Sequence, residues 1–185
     1  SGFIGSRLAA KLVTSGHEVR CLVRDTEAAL AVLPNEVEIV KGDITVPETL
    51  EKACDSISVV YHCAALMGHD LPSEDAFKKF RKINVKGTQN LINAAVKKNC
   101  KRFIYFSSTA AYGLLNDTLI TEETECKPYT PYQVTKYEGE IELQKAVDNN
   151  EIEGIILRPS MIYGPGFKGD FLTIAKLVKM GLVPK

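Results

Sequence analysis

Apolar residues recur along this chain in two alternating patterns, short β-branched runs and longer stripes with helical spacing. The short runs predict strands at 19–23, 37–40, 57–63, 103–106 and 154–157. The stripes, with apolar residues three and four apart, predict helices at 3–15, 47–53, 77–98, 132–147 and 171–180. Because strands alternate with helices, the sequence predicts an α/β fold with a mostly parallel sheet, right-handed crossovers and helices on both faces.

Tyr132 and Lys136 lie one turn apart on the helix predicted at 132–147, so their side chains share a face. An ordinary tyrosine, with a pKa of ~10, is a poor base at neutral pH. A neighbouring ammonium favours the phenolate, so we expect Lys136 to lower the pKa of Tyr132. The pair could then exchange a proton with an alcohol or carbonyl while a hydride moves. The plain alternative is a surface pair in which the lysine stem packs on the tyrosine ring.

The chain opens inside a glycine-rich turn. Gly2 and Gly5 have the spacing of the later part of a dinucleotide-binding fingerprint, although an ordinary helix start shows the same spacing. About twenty residues later, Arg24 and Asp25 close the strand predicted at 19–23. An acidic residue there accepts the ribose 2′-hydroxyl of NAD, whereas an arginine suits the 2′-phosphate of NADP. With Arg24 first, the sequence favours NADP and leaves NAD open, and a solvated charge pair is the alternative.

Hydroxyl-bearing and small residues follow two of the predicted strands. The run Ser-Ser-Thr at 107–109 comes directly after the strand at 103–106. The carboxyl ends of parallel strands are where such sheets bind ligands, although a turn can also use hydroxyls to bond its own backbone. Ala64 and Ala65 follow the strand at 57–63, and their small side chains allow a ligand to lie close to the backbone.

Composition narrows the class of protein. The chain of 185 residues is 45% hydrophobic, which fits one globular domain with a core. Lysine plus arginine equals aspartate plus glutamate at 23 each, so no basic excess indicates nucleic acid or an anionic membrane. No apolar run reaches the ~20 residues of a membrane span. Five cysteines without a C-x-x-C pair indicate reduced thiols in a cytoplasmic protein.

His62 and Cys63 are the residues most easily mistaken for metal ligands. They are adjacent at the end of a buried predicted strand, with no cluster of acidic, histidine or cysteine residues at metal spacing around them. We therefore predict no metal site and expect both side chains to be packed core residues.

Seven short motifs occur in order along the whole chain. They are Gly2-Phe3-Ile4-Gly5, Gly42-Asp43, His62-Cys63-Ala64-Ala65, Asn84-Val85-Lys86-Gly87-Thr88, Ser107-Ser108 before Tyr112-Gly113, Tyr132-x-x-x-Lys136, and Arg158-Pro159 before Tyr163-Gly164-Pro165-Gly166. Together they resemble the extended short-chain dehydrogenase/reductase family, the NAD(P)-dependent epimerase/dehydratase group. The resemblance implies a Rossmann-type doubly wound, mostly parallel sheet.

The resemblance also implies roles for particular residues. Tyr132 would be the catalytic acid/base, and Lys136 would hold the nicotinamide ribose. The family hydroxyl that holds the substrate oxygen falls on Ser108, with Thr109 as the alternative one residue on. Gly2 and Gly5 would line the pyrophosphate turn, Asp43 would lie by the adenine, and Ala64 and Ala65 would pass behind the cofactor. The predicted cofactor-binding set is Gly2, Phe3, Ile4, Gly5, Arg24, Asp43, Ile44, Ala64, Ala65, Asn84, Tyr132, Lys136 and Pro159.

The same resemblance divides the chain. Residues 1–165 would form the NAD(P)-binding domain, and residues 166–185 would begin the substrate-binding region. The strand before Gly2 and the first glycine of the turn are absent, as is most of a substrate lobe of roughly one hundred residues or more. We therefore expect the sequence to be an excerpt of a longer protein. Without that central strand, unpaired backbone groups at about 1–3 kcal/mol each should prevent a stable monomer.

The resemblance points to an oxidoreductase that uses NADP, with NAD left open. The sequence Val-Arg-x-Leu-Val-Arg-Asp at 19–25 is similar to that of the dihydroflavonol reductases in the family, which use NADPH. One alternative is a nucleotide-sugar epimerase or dehydratase that retains NAD, and another is a non-catalytic NADP-binding regulator. We expect a small-molecule substrate and no nucleic acid or membrane partner, and we leave a homodimer open.

Overall fold

A computed structural model describes residues 2–114, 119–167 and 170–182. The strands are β1 Arg20–Val23, β2 Glu38–Lys41, β3 Val59–His62, β4 Arg102–Phe106 and β5 Glu153–Leu157. The helices are α1 Phe3–Thr14, α2 Thr26–Leu30, α3 Leu50–Cys54, α4 Glu74–Arg81, α5 Thr88–Lys97, α6 Pro131–Asp148 and α7 Asp170–Lys179. Short 3₁₀ turns cover Pro47–Thr49 and Thr109–Tyr112. The predicted alternation of strands and helices is confirmed.

All the strand pairs are parallel, as predicted. β1 pairs with β2, Val23 lying opposite Lys41, and the other sheet has the order β3-β4-β5. In that sheet His62 lies opposite Tyr105, and Tyr105 lies opposite Ile156. Within the described residues, β1 and β3 each have one hydrogen-bonded strand neighbour.

Side chains of β1 alternate between two hydrophobic clusters. Cys21 and Val23 pack with Ala9 of α1 and Ala29 of α2. Leu22 packs on the opposite side, against the cluster that includes α3 and α5. Because successive strand residues point to opposite faces, helices cover both faces of the sheet at β1. The predicted doubly wound arrangement is therefore confirmed.

The larger cluster lies under β4 and fixes α6 in place. Its buried members are Ile44, Leu50, Cys54, Leu91, Ile92, Ala94, Ala95, Cys100, Phe103, Tyr105, Leu143, Ala146 and Ile152. Phe103 and Tyr105 of β4 are fully buried and meet Leu143 of α6. Removing one buried aromatic side chain of this kind costs about 3–5 kcal/mol. This packing holds α6 across the carboxyl end of β4.

The start of α6 is set by its own sequence. The Thr130 hydroxyl accepts a hydrogen bond from the Gln133 amide, and the Gln133 side-chain oxygen accepts one from the Thr130 amide. Pro131 occupies the first helical position, where its missing N–H costs nothing. These caps place Tyr132 in the first turn of α6 and Lys136 one turn later.

The predicted helix at 77–98 differs from the structure in two respects. It begins earlier, at Glu74, because Ser73 caps it by accepting from the Ala76 amide. A π-helical segment, Lys82–Gly87, separates α4 from α5. Within it, Gly87 lies so close to the Ile44 side chain that a Cβ would stand 2.7 Å from its Cδ1. An apolar stripe with a period of 3.6 cannot reveal this extra residue per turn.

The short helix α2 was not predicted. Its cap, Asp25, was considered in the sequence only with Arg24, as a charged residue that could meet the ribose. The polar loop predicted at 116–130 is non-helical over 119–130, and 116–118 lie outside the described residues.

Gly139 lies in α6 where the helix touches β4, and Gly139→Ala should destabilise the protein. A Cβ at this position would overlap the Tyr105 hydroxyl and lie 3.1 Å from the Asn84 carbonyl oxygen. We expect the free energy of unfolding to fall by about 1–3 kcal/mol in urea titrations. The matched control is Gly5→Ala in α1, where the nearest atom is the Cys63 Cβ at 3.9 Å. An alanine variant at 139 as stable as the control would contradict the close packing.

Candidate active site

Ser108 follows the carboxyl end of β4 and lies close to Tyr132. Ser108 caps the 3₁₀ turn Thr109–Tyr112 by accepting from the Ala110 amide at 3.1 Å. Its hydroxyl also lies close enough to the Tyr132 phenol to affect the pKa of that phenol. The amide of Thr109 donates to the Pro159 carbonyl at 3.0 Å, so the backbone of Thr109 is fixed in the turn. The structure thus brings the predicted Ser108 and Tyr132 together, and their catalytic roles stay predictions.

Lys136 is buried, with 1% of its surface exposed. Its Nζ donates to the Phe106 carbonyl at 2.6 Å and lies 4.1 Å from the centroid of the Tyr105 ring. Burial lowers the pKa of Lys136 to about 7, while the charge of Glu140 and the Cys63 thiol act in the opposite direction. An ammonium that titrates near neutrality can respond to the binding of a charged ligand beside it.

Tyr132 does not have the lowered pKa that the sequence led us to expect. Burial raises the pKa of Tyr132 above its ordinary value, and the hydrogen bond from Ser108 offsets part of that rise. The ammonium of Lys136 is turned to the Phe106 carbonyl and the Tyr105 ring instead. In this structure the proton therefore stays on the phenol, which suits Tyr132 as a proton donor.

His62 is a packed core residue, as predicted. It is 2% exposed, and its Nε2 lies 2.8 Å from the Thr88 hydroxyl oxygen. Because the Thr88 hydroxyl donates to the Asn84 carbonyl at 2.7 Å, it must accept from the His62 ring N–H. Burial, with the charge of Lys136, lowers the pKa of His62 to about 3. The imidazole is therefore neutral at physiological pH.

Asn84 supports the segment that follows β3. Its Oδ1 accepts from the Leu66 amide at 2.7 Å, and its Nδ2 donates to the Leu66 carbonyl and to the Thr135 hydroxyl. Both amide hydrogens are used inside the protein. Ala64 and Ala65, just before Leu66, are exposed and offer their backbone to the cleft. The predicted cofactor contact of Asn84 would therefore be indirect, through this segment.

The start of α1 fits a pyrophosphate group. Gly2 caps α1 without a side-chain hydrogen bond, and the first turn contains no acidic residue. The first helical hydrogen bond runs from the Ser6 amide to the Gly2 carbonyl, so the amides of Phe3, Ile4 and Gly5 precede it. Uncapped amides at the positive end of a helix dipole favour an anion.

The side chain of Phe3 is already engaged. The Arg7 guanidinium stacks 4.0 Å from its ring centroid, and the Phe167 ring meets it edge-on at 5.2 Å. Arg7 also donates to the Pro165 carbonyl. The predicted contribution of Phe3 to the cofactor site would therefore come from its backbone amide.

The side chains of Arg24 and Asp25, directly after β1, have different surroundings. The Asp25 carboxylate caps α2 by accepting from the Ala28 amide at 3.0 Å, whereas Arg24 is exposed. Asp43 follows β2 and accepts from both the amide and the hydroxyl of Thr45 at 2.8 Å. The Thr45 amide is the main cause of a lowered pKa at Asp43, and the charge of Arg24 contributes. Arg24 and Asp43 therefore lie near each other.

Ile44 and Pro159 have different surroundings. Ile44 is 8% exposed, its side chain belongs to the core, and its carbonyl accepts from Asn90 at 3.0 Å. Any predicted cofactor contact of Ile44 would come from its backbone amide. Pro159 is half-buried behind the turn at Thr109, to which it offers its carbonyl.

A buried ion pair beside Lys136 was missed from the sequence. Arg158 makes a bidentate contact with Glu140, with distances of 2.6 and 2.9 Å for its shortest bonds to the two carboxylate oxygens. The side chains are 21% and 4% exposed, respectively. Arg158 also donates to the Tyr112 hydroxyl at 2.8 Å. The sequence signal that could have revealed Glu140 is its spacing from Lys136, because the two residues are four apart and share one face of α6.

Two features are absent from residues 2–114, 119–167 and 170–182. In that part of the chain, no three His, Cys, Asp or Glu side chains are grouped to hold a metal ion. No helix there has both the length and the apolar content to cross a bilayer.

The parallel sheet, the glycine turn at α1 and the Ser108–Tyr132–Lys136 cluster define a dinucleotide-binding domain of the short-chain dehydrogenase type. The sequence profile of the NAD dependent epimerase/dehydratase family matches residues 1–179. The chain belongs to that family, which confirms the resemblance seen in its motifs.

Curated relatives and solved structures agree with this membership. The chain is 32% identical to a UDP-glucose 4-epimerase of Vibrio cholerae, over 98% of this chain and 56% of that protein. It is also 32% identical to a 3-beta-hydroxysteroid dehydrogenase of Mycolicibacterium neoaurum, over 99% of this chain and 51% of that protein. The UDP-glucuronic acid 4-epimerase from Bacillus cereus, solved with NAD, superposes with a TM-score of 0.82 at 29% identity, covering 97% of this chain and 61% of that one. The chain thus spans about half the length of its curated relatives.

Lys136→Met should stabilise the folded protein at neutral pH. The pKa of Lys136 is lowered on folding to about 7, so the unfolded chain binds its proton more tightly. The lowered pKa reduces the free energy of unfolding. This reduction is absent above the pKa of Lys136 in the unfolded chain and grows as the pH falls towards 7. Below pH 7 it is constant, at about 4–5 kcal/mol at most. The Phe106 carbonyl loses its donor, so we expect a net gain of about 2 kcal/mol.

Urea titrations of the ligand-free protein at pH 7 and pH 10 would measure this gain. Lys145→Met on the same helix is the control, since Lys145 is exposed and its substitution should change stability by less than about 0.5 kcal/mol. The gain at position 136 should shrink at the higher pH. A Lys136→Met variant that is less stable than wild type at pH 7 would contradict a costly buried ammonium.

Proposed function

We propose that this chain provides the cofactor-binding and proton-transfer part of an NAD(P)-dependent oxidoreductase. In this reaction a hydride passes between the nicotinamide and a carbonyl or hydroxyl carbon of a small molecule. The observation that carries the proposal is the placement of Ser108, Tyr132 and a buried lysine together at the carboxyl end of β4. The exposed Ala64–Ala65 backbone and the uncapped start of α1 border the same end of the sheet.

Each residue has a definite task in the reductive direction. The bound dinucleotide supplies the hydride. Ser108 holds the substrate oxygen by a hydrogen bond, and Tyr132, whose raised pKa keeps it protonated, donates its proton to that oxygen. Lys136 then offers positive charge to the phenolate that forms, one helical turn away. Oxidation of an alcohol uses the same steps in reverse.

We propose NADP as the preferred cofactor. Arg24 is exposed at the end of β1, and the neighbouring Asp25 carboxylate is occupied in capping α2. The residue available to meet the adenosine ribose is therefore a cation, which suits a 2′-phosphate. NAD remains the alternative, because the solved relative from Bacillus cereus holds NAD.

A carbonyl reductase similar to dihydroflavonol reductases is the specific activity that we favour, because a reductase that exchanges NADP is consistent with an exposed Arg24. A nucleotide-sugar epimerase or dehydratase with retained NAD is the alternative, supported by the similarity to UDP-glucose 4-epimerase. Protein purified with a tightly held dinucleotide would favour that alternative. A non-catalytic regulator is disfavoured by the intact contact between Ser108 and Tyr132.

Tyr132→Phe should abolish turnover and leave dinucleotide affinity within a few-fold. The substitution removes the transferable proton but keeps the ring, so the rate should fall by at least about 10²-fold. Steady-state rates and fluorescence titration of NADPH would be measured on the same preparation. Tyr129→Phe, at an exposed tyrosine just before α6, serves as the control and should keep its rate. Retained activity in the 132 variant would exclude the acid/base role.

Arg24→Ser should weaken NADP binding and leave NAD binding nearly unchanged. A charge-assisted contact to the 2′-phosphate contributes about 1.5–3 kcal/mol, so the dissociation constant for NADP should rise about 10–100-fold. Calorimetry with both dinucleotides provides the control within one variant, because only NADP carries the 2′-phosphate. Equal affinities of the wild-type protein for NADP and NAD would rule the preference out.

A further inference from the structure

We propose that Glu140, clamped by Arg158, is a positioning residue that keeps the buried Lys136 ammonium charged. The inference deepens the proposed function, on which its catalytic meaning rests. Glu140 is buried and hydrogen-bonded to Arg158, and it would act on the reaction through Lys136.

Helical spacing places one carboxylate a single turn from the buried ammonium. Glu140 is four residues after Lys136 on α6, and both face inward, with exposures of 3% and 1%. The inner face of α6 is polar at the residues nearest the site, where an ordinary helix would bury apolar side chains. Buried charges are tolerated only when they are compensated. Glu140 is compensated by Arg158, whereas the direct contacts of the Lys136 ammonium are a carbonyl and an aromatic ring, so a carboxylate one turn away matters for Lys136.

Arg158 holds the Glu140 carboxylate in one orientation. The guanidinium binds both carboxylate oxygens and uses a third nitrogen on the Tyr112 hydroxyl. Tyr112 in turn donates to the Thr121 carbonyl at 3.0 Å. The clamp therefore ties α6 to the residue after β5 and to the turn after β4. Because the bidentate contact with Arg158 fixes the plane of the Glu140 carboxylate, the carboxylate is held at one position relative to Lys136.

The other groups that face Lys136 carry no charge at neutral pH. On β3, burial lowers the pKa of His62 to about 3 and raises the pKa of Cys63 to about 11. On β4, burial raises the pKa of Tyr105 far above its ordinary value, and burial on α6 raises the pKa of Tyr132. Among these described neighbours, Glu140 is the negative charge that opposes the effect of burial on Lys136.

The decisive experiment is a pH titration of Lys136 in the ligand-free protein, in wild type and three variants. The protein is labelled with ¹³C-lysine, and the Lys136 signal is assigned by its loss in Lys136→Met. Glu140→Gln should lower the pKa of Lys136 by at least about one unit, a tenfold fall in the ratio of charged to neutral lysine. Glu138→Gln is the matched control. Glu138 is on the same helix and also binds an arginine, Arg81, through bidentate contacts, but that pair is more exposed.

The double variant Glu140→Gln/Arg158→Met guards against a folding defect in the single one. It leaves no arginine without its carboxylate partner, so it should fold even where Glu140→Gln does not. Its Lys136 pKa should still lie below that of wild type, because the nearer of the two charges has been removed. An unchanged Lys136 pKa in the double variant, or an equal shift in Glu138→Gln, would overturn the proposal and leave the ion pair a purely structural feature.

The kinetic measurement separates this inference from the proposed function. In an active enzyme, the limb of the pH–rate profile that reports the loss of the Lys136 proton should move to lower pH in the Glu140 variant by the same amount as the titration. A shifted titration with an unmoved limb would refute the link to catalysis. A shifted titration in a protein without oxidoreductase activity would refute the proposed function, while the effect of Glu140 on Lys136 would stand.

Discussion

The cost of burying the Lys136 ammonium is the constraint around which this site is built. A lysine that is 1% exposed has lost its water, and burial lowers its pKa to about 7 even though the charge of Glu140 acts in the opposite direction. The charge persists only because protein groups replace the solvent: the Phe106 carbonyl, the face of the Tyr105 ring and the Glu140 carboxylate. These groups come from β4 and α6, so the packing of those two elements against each other decides the chemistry.

The fold supplies these groups from rigid elements. The buried rings of β4 fix the strand against α6, and Gly139 allows the two to approach closely. The capping box at Thr130 sets where α6 begins and so which residues face inward. Asn84, in the π-helical segment, holds the segment after β3 and reaches Thr135 on the same inner face. The proposed proton donor, the ammonium and the backbone proposed to bind the cofactor therefore meet at one end of the sheet.

Local and periodic features were predictable from the sequence, and features that depend on tertiary packing were not. Alternating strands and helices gave the α/β class, and helical spacing gave the shared face of Tyr132 and Lys136. The direction of the Tyr132 pKa shift was wrong, because no sequence pattern shows that Lys136 turns to the Phe106 carbonyl. Glu140 was missed because its importance depends on Arg158, which lies eighteen residues away on another element. Asp25 was available as a cap as well as a ribose ligand, and only the packed helix α2 distinguishes them.

The central claim is that Lys136 is buried and can still be charged, with a pKa lowered close to neutrality. The most direct measurement is the titration of Lys136 alone in the unmodified, ligand-free protein, followed by the ¹³C chemical shift next to its amine. The account predicts a pKa of about 7. A Lys136 that titrates at ~10.4, the value of an exposed lysine, would contradict the account, because its ammonium would then be solvated and the surrounding groups would have no charge to support.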